Sequence, residues 1–78
     1  MPRLDELRAG QQASIQAIEG GAALVQRLME MGLLEGEPVE VIGFAPLGDP
    51  MEIRLRDYRL SLRRREAACI NVTVVGGQ

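Results

Sequence analysis

The fold is decided by the stretch Met51-Glu-Ile-Arg-Leu-Arg-Asp-Tyr-Arg-Leu-Ser-Leu-Arg63. Apolar residues take every second position on both sides of Asp57-Tyr58, which is the pattern of two half-buried strands. We expect Asp57-Tyr58 to form the hairpin turn between them. The stretch therefore predicts a β-hairpin with one apolar face and one face rich in arginine.

Three further runs alternate in the same way, at residues 12–18, 39–44 and 70–74. Their predicted inward residues are Ala13, Ile15, Ala17, Val39, Val41, Ile70, Val72 and Val74, with Phe44 on the face opposite Val39 and Val41. Five short strands close into a small barrel because closure removes exposed strand edges. The predicted class is mainly β (α+β), in a single domain spanning residues 1–78.

Residues 22–31 change to a helical period. At about 100° per residue, an arc of roughly 180° is apolar, and it contains Leu24, Val25, Leu28, Met29 and Met31. Gly32 suits the left-handed position after a helix, which would fold Leu33 back onto Leu28 in a Schellman ending. A helix that covers a small core needs a stripe only somewhat over ~100° wide. The arc is therefore either buried whole or leaves an apolar rim for a partner.

The remaining segments are short. Residues 3–8 predict one helical turn with Leu4 and Leu7 on one side, residues 64–69 predict another, and Gly76-Gly77-Gln78 predicts a loose end. Between the strands, two prolines bracket a Gly-Asp turn in residues 45–50. That restricted loop either joins two strands or offers a contact that costs little entropy to order.

Residue types exclude most chemistry. The chain has no His and one Cys, which leaves no usual zinc spacing and no imidazole to activate a thiol. Gly20-Gly21 lacks the spacing and the Lys of a phosphate loop. Cys69 is expected to be a packed residue. We therefore expect no catalytic residue, no cofactor and no metal ligand, and the protein is not predicted to be an enzyme.

The charge is unevenly distributed along the chain. The net charge is −2, yet most of the arginines follow residue 53. Alternation places Arg54, Arg56, Arg59 and Arg63 on the outer face of the hairpin, extended by Arg64 and Arg65. This face is either a solvated surface that protects a strand edge or a patch for an acidic partner or nucleic acid. The chain has one Phe, one Tyr and no Trp, so it has few aromatic side chains on which nucleic-acid bases could stack. Nucleic acid is therefore only the alternative partner.

The predicted location is the cytosol. No run approaches the roughly 20 apolar residues of a membrane span, so direct membrane insertion is not expected. Acids stand at the N-terminus where a signal peptide would be apolar. A lone cysteine also fits a reducing compartment.

Several sequence pieces together carry a family resemblance. They are Leu4-x-x-Leu7-x-x-Gly10-Gln11, Leu28-x-x-Met31-Gly32-Leu33-x-x-Gly36, Ala45-Pro46-Leu47-Gly48-Asp49-Pro50, Leu60-Ser61-Leu62-Arg63 and Glu66-Ala67-x-x-Ile70-x-Val72. In this order and spacing they resemble the FeoA family of bacterial ferrous-iron transport, over about residues 4–75.

The resemblance implies an SH3-like barrel with one amphipathic helix packed against it. It also implies an accessory protein of FeoB, a membrane transporter with a cytosolic GTPase domain, and a position at the inner membrane through that partner. C-terminal domains of iron-dependent repressors share the implied fold. We expect docking through Leu24, Leu28, Met31 and Leu33, with Pro46 and Leu47 as further candidates. Self-association into a homo-oligomer is a third hypothesis.

Overall fold

The computed structural model describes residues 1–75, so the predicted loose end at 76–78 lies outside the described residues. A 3₁₀ turn, Leu4–Glu6, precedes strand β1 (Gln12–Ile18) and helix α1 (Ala22–Glu30). Three strands follow, β2 (Pro38–Phe44), β3 (Met51–Leu55) and β4 (Tyr58–Leu62). A one-turn helix, α2 (Arg64–Ala67), leads to β5 (Ile70–Val74). The predicted five strands and one substantial helix are confirmed.

The strands form one antiparallel sheet in the order β4-β3-β2-β1-β5. Within residues 1–75, β4 and β5 are not paired with each other, so the sheet curls without closing. The expectation of a fully closed barrel is corrected on this point.

None of the described helices is long and apolar enough to cross a membrane.

The core is the inward face of the sheet, capped by α1 and the 3₁₀ turn. The strand residues predicted to point inward supply most of it, including Ile15, Val41, Ile53 and Val72. Leu4 and Leu7 complete it from the N-terminal turn, as their pairing on one side of that turn predicted. Burial of these aliphatic side chains, at about 25 cal/mol per Å², is the main force that holds the sheet in its curl.

Two β-bulges overturn the predicted facing of two residues, Ala17 and Phe44. In the β1–β5 pairing, Ile15 lies opposite Val72 but Ala17 lies opposite Asn71, so Gln16 is an extra residue. An extra residue reverses the side of the sheet to which all the following side chains point. Ala17 is therefore exposed, and Ile18 packs on the core.

The second bulge lies in β2. Val41 is opposite Ile53 and Gly43 is opposite Glu52, which leaves Ile42 as the extra residue. Phe44 therefore turns to the core side, where it packs on the buried cluster. The prediction that Phe44 faces away from Val39 and Val41 is wrong for this reason.

The hairpin turn differs from its prediction by one position. Leu55 pairs with Tyr58, so the two turn residues are Arg56 and Asp57, and Tyr58 begins β4. Arg56 has φ +51°, a region that L residues other than Asn and Asp rarely adopt. Its guanidinium binds both carboxylate oxygens of Glu37, at 2.7 Å each, which ties the turn to the residue before β2.

The end of α1 is as predicted. Gly32, at φ +101°, donates its N–H to the Met29 carbonyl at 3.0 Å, and Leu33 donates to the Leu28 carbonyl at 3.1 Å. These are the two hydrogen bonds of a Schellman motif. Leu28 and Leu33 are both fully buried, so the motif fixes the helix end on the core.

Candidate docking surface

Helix α1 has a wider apolar arc than the core covers. Leu28 lies at the centre of the buried part, and Leu24 and Met31 pack half-buried beside it. The other rim faces outward, where Val25 is half-buried and Met29 is 47% exposed. The turn before the helix packs closely on it, and an added Cβ at Gly20 would lie 3.3 Å from Leu24 Cδ2.

Val25 and Met29 lie one turn apart and form a surface that we call the Val25–Met29 ridge. A shallow cleft of about 600 Å³ lies on one side of it, lined also by Gly20, Ala22 and Glu30. A second cleft, of about 260 Å³, lies between the ridge and β1. The bulge in β1 contributes here, because the outward Ala17 lines this second cleft.

The residues predicted as the docking site separate into three groups. Leu28 and Leu33 are 0% exposed, so they support the helix from beneath, with Leu33 at the base of the second cleft. Leu24 and Met31 remain at its half-buried margin. Pro46 and Leu47 lie on the loop between β2 and β3, where Leu47 is 97% exposed.

Sequence reasoning placed Val25 and Met29 in the apolar arc without choosing them as contacts. The helical period alone could not do so, because it defines an arc and not its orientation on the sheet.

The loop that carries Leu47 is held firmly. Gly48 donates its N–H to the Ala45 carbonyl at 2.7 Å, and Ala45 donates to the Pro50 carbonyl at 2.9 Å. Arg64 fixes the loop from outside: its N–H binds the Asp49 carboxylate at 3.0 Å, and its guanidinium lies 5.1 Å from the centre of the Phe44 ring. The loop therefore presents Leu47 on a backbone that is already ordered.

Three arginines on the outer face of the hairpin are paired with acids in three dimensions. Arg54 lies opposite Glu40 in the sheet register and forms an ion pair with it at 2.5 Å. Arg59 lies 3.6 Å from Glu52. The hydrogen bonds from Arg56 hold the pKa of the Glu37 carboxyl below its usual value. An exposed patch for nucleic acid on this face therefore loses the charge of these three arginines.

The described residues offer little for chemistry. Residues 1–75 contain no group of three or more His, Cys, Asp or Glu side chains placed to hold a metal ion. Cys69 is half-buried, and its Sγ donates to the Arg65 carbonyl at 3.6 Å. The surface instead carries the apolar Val25–Met29 ridge on α1 and an ordered loop with an exposed Leu47. Both features suit recognition of another protein.

Comparison with known proteins decides the family. The family model described as the FeoA domain matches residues 3–74. The chain belongs to the FeoA family. A solved FeoA structure from Chlorobium tepidum is similar at 39% identity with a TM-score of 0.91, over 99% of this chain and 73% of that one.

Two other relatives connect this FeoA chain with iron transport. A Porphyromonas gingivalis protein, described as a fusion of Fe(2+) transport protein A with the Fe(2+) transporter FeoB, is 44% identical over 73 residues. The match spans 94% of this chain and 9% of the fusion protein. Stenotrophomonas maltophilia FeoA, solved with zinc, is 28% identical with a TM-score of 0.79, covering 92% of this chain and 89% of that one. That protein is described as a prokaryotic SH3 domain protein and a candidate activating factor of ferrous iron transport.

Proposed function

We propose that this FeoA protein is an accessory factor of bacterial ferrous-iron uptake that docks on the cytosolic, GTPase-containing part of an FeoB transporter. The observation that carries the proposal is the relative in which an FeoA domain and FeoB share one chain. Covalent linkage keeps two domains at high effective concentration. Separate partners have to meet through surface recognition, in the cytoplasm and at the inner membrane that holds the transporter.

We assign the contact to the Val25–Met29 ridge. Its apolar side chains stand between two clefts that apolar side chains of a partner can fill. Methionine adapts its shape to a partner at little cost. Burying a whole Met side chain is worth about 1.5–3 kcal/mol, so covering the exposed 47% of Met29 contributes about 1 kcal/mol. A carboxylate at this position would be left unpaired in the contact, which costs more.

The test compares two substitutions with matched exposure. Met29 is 47% exposed and Leu34, which lies away from the ridge, is 44% exposed. We expect Met29→Glu to weaken binding to the soluble GTPase domain of the same organism's FeoB by about tenfold or more, and Leu34→Glu to leave it unchanged. Isothermal titration calorimetry measures the affinity, and thermal melts show whether both variants fold normally.

The exposed loop is the competing contact, and Leu47→Glu tests it. Loss of binding in Leu47→Glu with normal binding in Met29→Glu would move the contact to the loop. Wild-type affinity in both variants would contradict docking through either surface.

A further inference from the structure

Strand β4 is an edge of the sheet whose outward backbone groups can be identified from the register. Val41 donates its N–H to the Gln11 carbonyl at 3.0 Å, and its own carbonyl accepts from Gly10 at 2.7 Å. The backbone groups of Val41 thus point away from β3. Ile53, which lies opposite Val41 in β3, therefore directs its own N–H and C=O groups to β4, where it pairs with Leu60. Hydrogen-bonded and non-bonded residues alternate along an antiparallel strand.

This alternation leaves two residues of β4 turned to the outside. The N–H and C=O groups of Arg59 and Ser61 point away from β3, and in the part of the chain that the structure describes no group pairs with them. Their side chains are exposed as well. We call these backbone groups, with the space beside them, the β4 edge.

A basic cleft of about 500 Å³ adjoins the β4 edge, lined by Arg27, Pro50, Ser61, Arg63, Arg65 and Glu66. Its one acid is already engaged: Glu66 is paired with Arg27 and accepts the backbone N–H of Arg63. Within residues 1–75, no carboxylate is paired with the guanidinium of Arg63 or Arg65. The cleft therefore carries positive charge that the chain itself does not compensate.

We propose that the β4 edge binds an extended acidic segment of a partner protein as an added strand. Two outward residues provide four backbone hydrogen bonds, which is the basis of strand addition. Side chains of an added strand recur on one face about 6.6 Å apart, so alternate acids can follow Arg59 and Ser61, which share one face of β4. The next acid can reach Arg63, which directly follows the strand.

The arginines at the β4 edge decide whether a second copy of this chain or an acidic strand of a partner binds there. An antiparallel pair of β4 strands centred on Ser61 would place Arg59 opposite Arg63 of the other copy. A pair centred on Leu60 would place the two Arg59 residues at diagonal positions, so both registers disfavour self-pairing. An acidic strand gains from the same residues. This site is separate from the Val25–Met29 ridge, so the two proposals can fail independently.

The experiment uses the whole protein and the synthetic peptide acetyl-Glu-Val-Glu-Val-Glu-Val-amide, with the Lys-Val repeat as its charge-reversed control. We expect the acidic peptide to bind and to slow hydrogen exchange at the Arg59 and Ser61 amides, measured by NMR. Affinity should fall when salt is raised from about 50 mM to about 200 mM. Binding without protection of these two amides, or equal binding of the Lys peptide, would overturn the proposal.

Two matched pairs of variants sharpen the test. Ser61→Pro removes an N–H that makes no bond within the sheet, so it should fold and yet weaken peptide binding more than about tenfold. Ser61→Ala should bind normally. Arg63→Glu should weaken binding by about tenfold, whereas Arg8→Glu, an equal charge change outside the cleft, should not.

Three outcomes would refute strand addition. They are wild-type affinity in Ser61→Pro, equal loss in Arg63→Glu and Arg8→Glu, and protection of the two amides by a single-stranded oligonucleotide but not by the acidic peptide.

Discussion

Replacing Gly32 by Ala tests how the end of α1 is locked onto the hairpin. Gly32 has φ +101°, and an added Cβ would lie 2.3 Å from the Tyr58 hydroxyl oxygen. That hydroxyl donates to the Met31 carbonyl at 2.5 Å. The methyl group therefore strains the backbone and also displaces the Tyr58 side chain from its hydrogen bond.

The expected magnitude is the sum of two effects. A side chain in the left-handed region costs about 1–2 kcal/mol, and a lost hydrogen bond costs about 0.5–1.5 kcal/mol. Gly32→Ala should thus lower the free energy of unfolding by about 1.5–3.5 kcal/mol. For a domain of this size that corresponds to a fall in Tm of about 6–28 °C.

Urea denaturation of four proteins separates the two effects: wild type, Gly32→Ala, Tyr58→Phe and the double variant. Without the hydroxyl, only the backbone strain remains, so Gly32→Ala should cost about 1 kcal/mol less in the Tyr58→Phe background. Gly21→Ala is the control, because its Cβ would meet no atom within 4 Å. An equal cost of Gly32→Ala in both backgrounds, or a cost no larger than that of Gly21→Ala, would refute the reasoning.

Two further expectations concern stability. Leu28→Gln should lower the free energy of unfolding by about 3–5 kcal/mol because it buries an amide in the core, while Met29→Gln should change it by less than about 0.5 kcal/mol; a normal urea melt of Leu28→Gln would contradict the burial of that side chain. Wild type should be more stable than Arg56→Ala at pH values above 4.5, the usual pKa of Glu37. This advantage should fade as the pH falls through the lowered pKa that Glu37 has in the folded protein, because the carboxylate is then protonated. Melts at intervals from about pH 7 down to about pH 2 measure it, and an advantage that does not fall anywhere in this range would argue against the ion pair.

The sequence predicts the positions of the strands well, but it predicts less well which side of the sheet each side chain points to. Alternation identifies a strand, but it assumes that every residue is paired. The extra residues Gln16 and Ile42 break that assumption, so Ala17 and Phe44 take the opposite faces. Gly43, directly after the second bulge, was an available signal because glycine inside a strand often marks one. Nothing comparable accompanies Gln16.

The candidate site depends still more on tertiary placement. The helical period finds the apolar arc of α1, but only packing on the sheet decides that Leu28 is buried and Met29 is exposed. The arginine face likewise requires the strand register, since Arg54 is neutralised by Glu40, a residue of a different strand. The Schellman ending was predictable because its hydrogen bonds are local in sequence.

The pairing of β1 with β5 has a consequence for how the chain is made. β1 shares only three residue pairs with β2 but five with β5, including Ile15 with Val72. Most of its partners therefore lie about 50–60 residues later in the chain. At about 5–20 residues per second, β1 waits roughly 3–10 s for them. Because these contacts are distant in sequence, the sheet can be completed only after β5 has been synthesised.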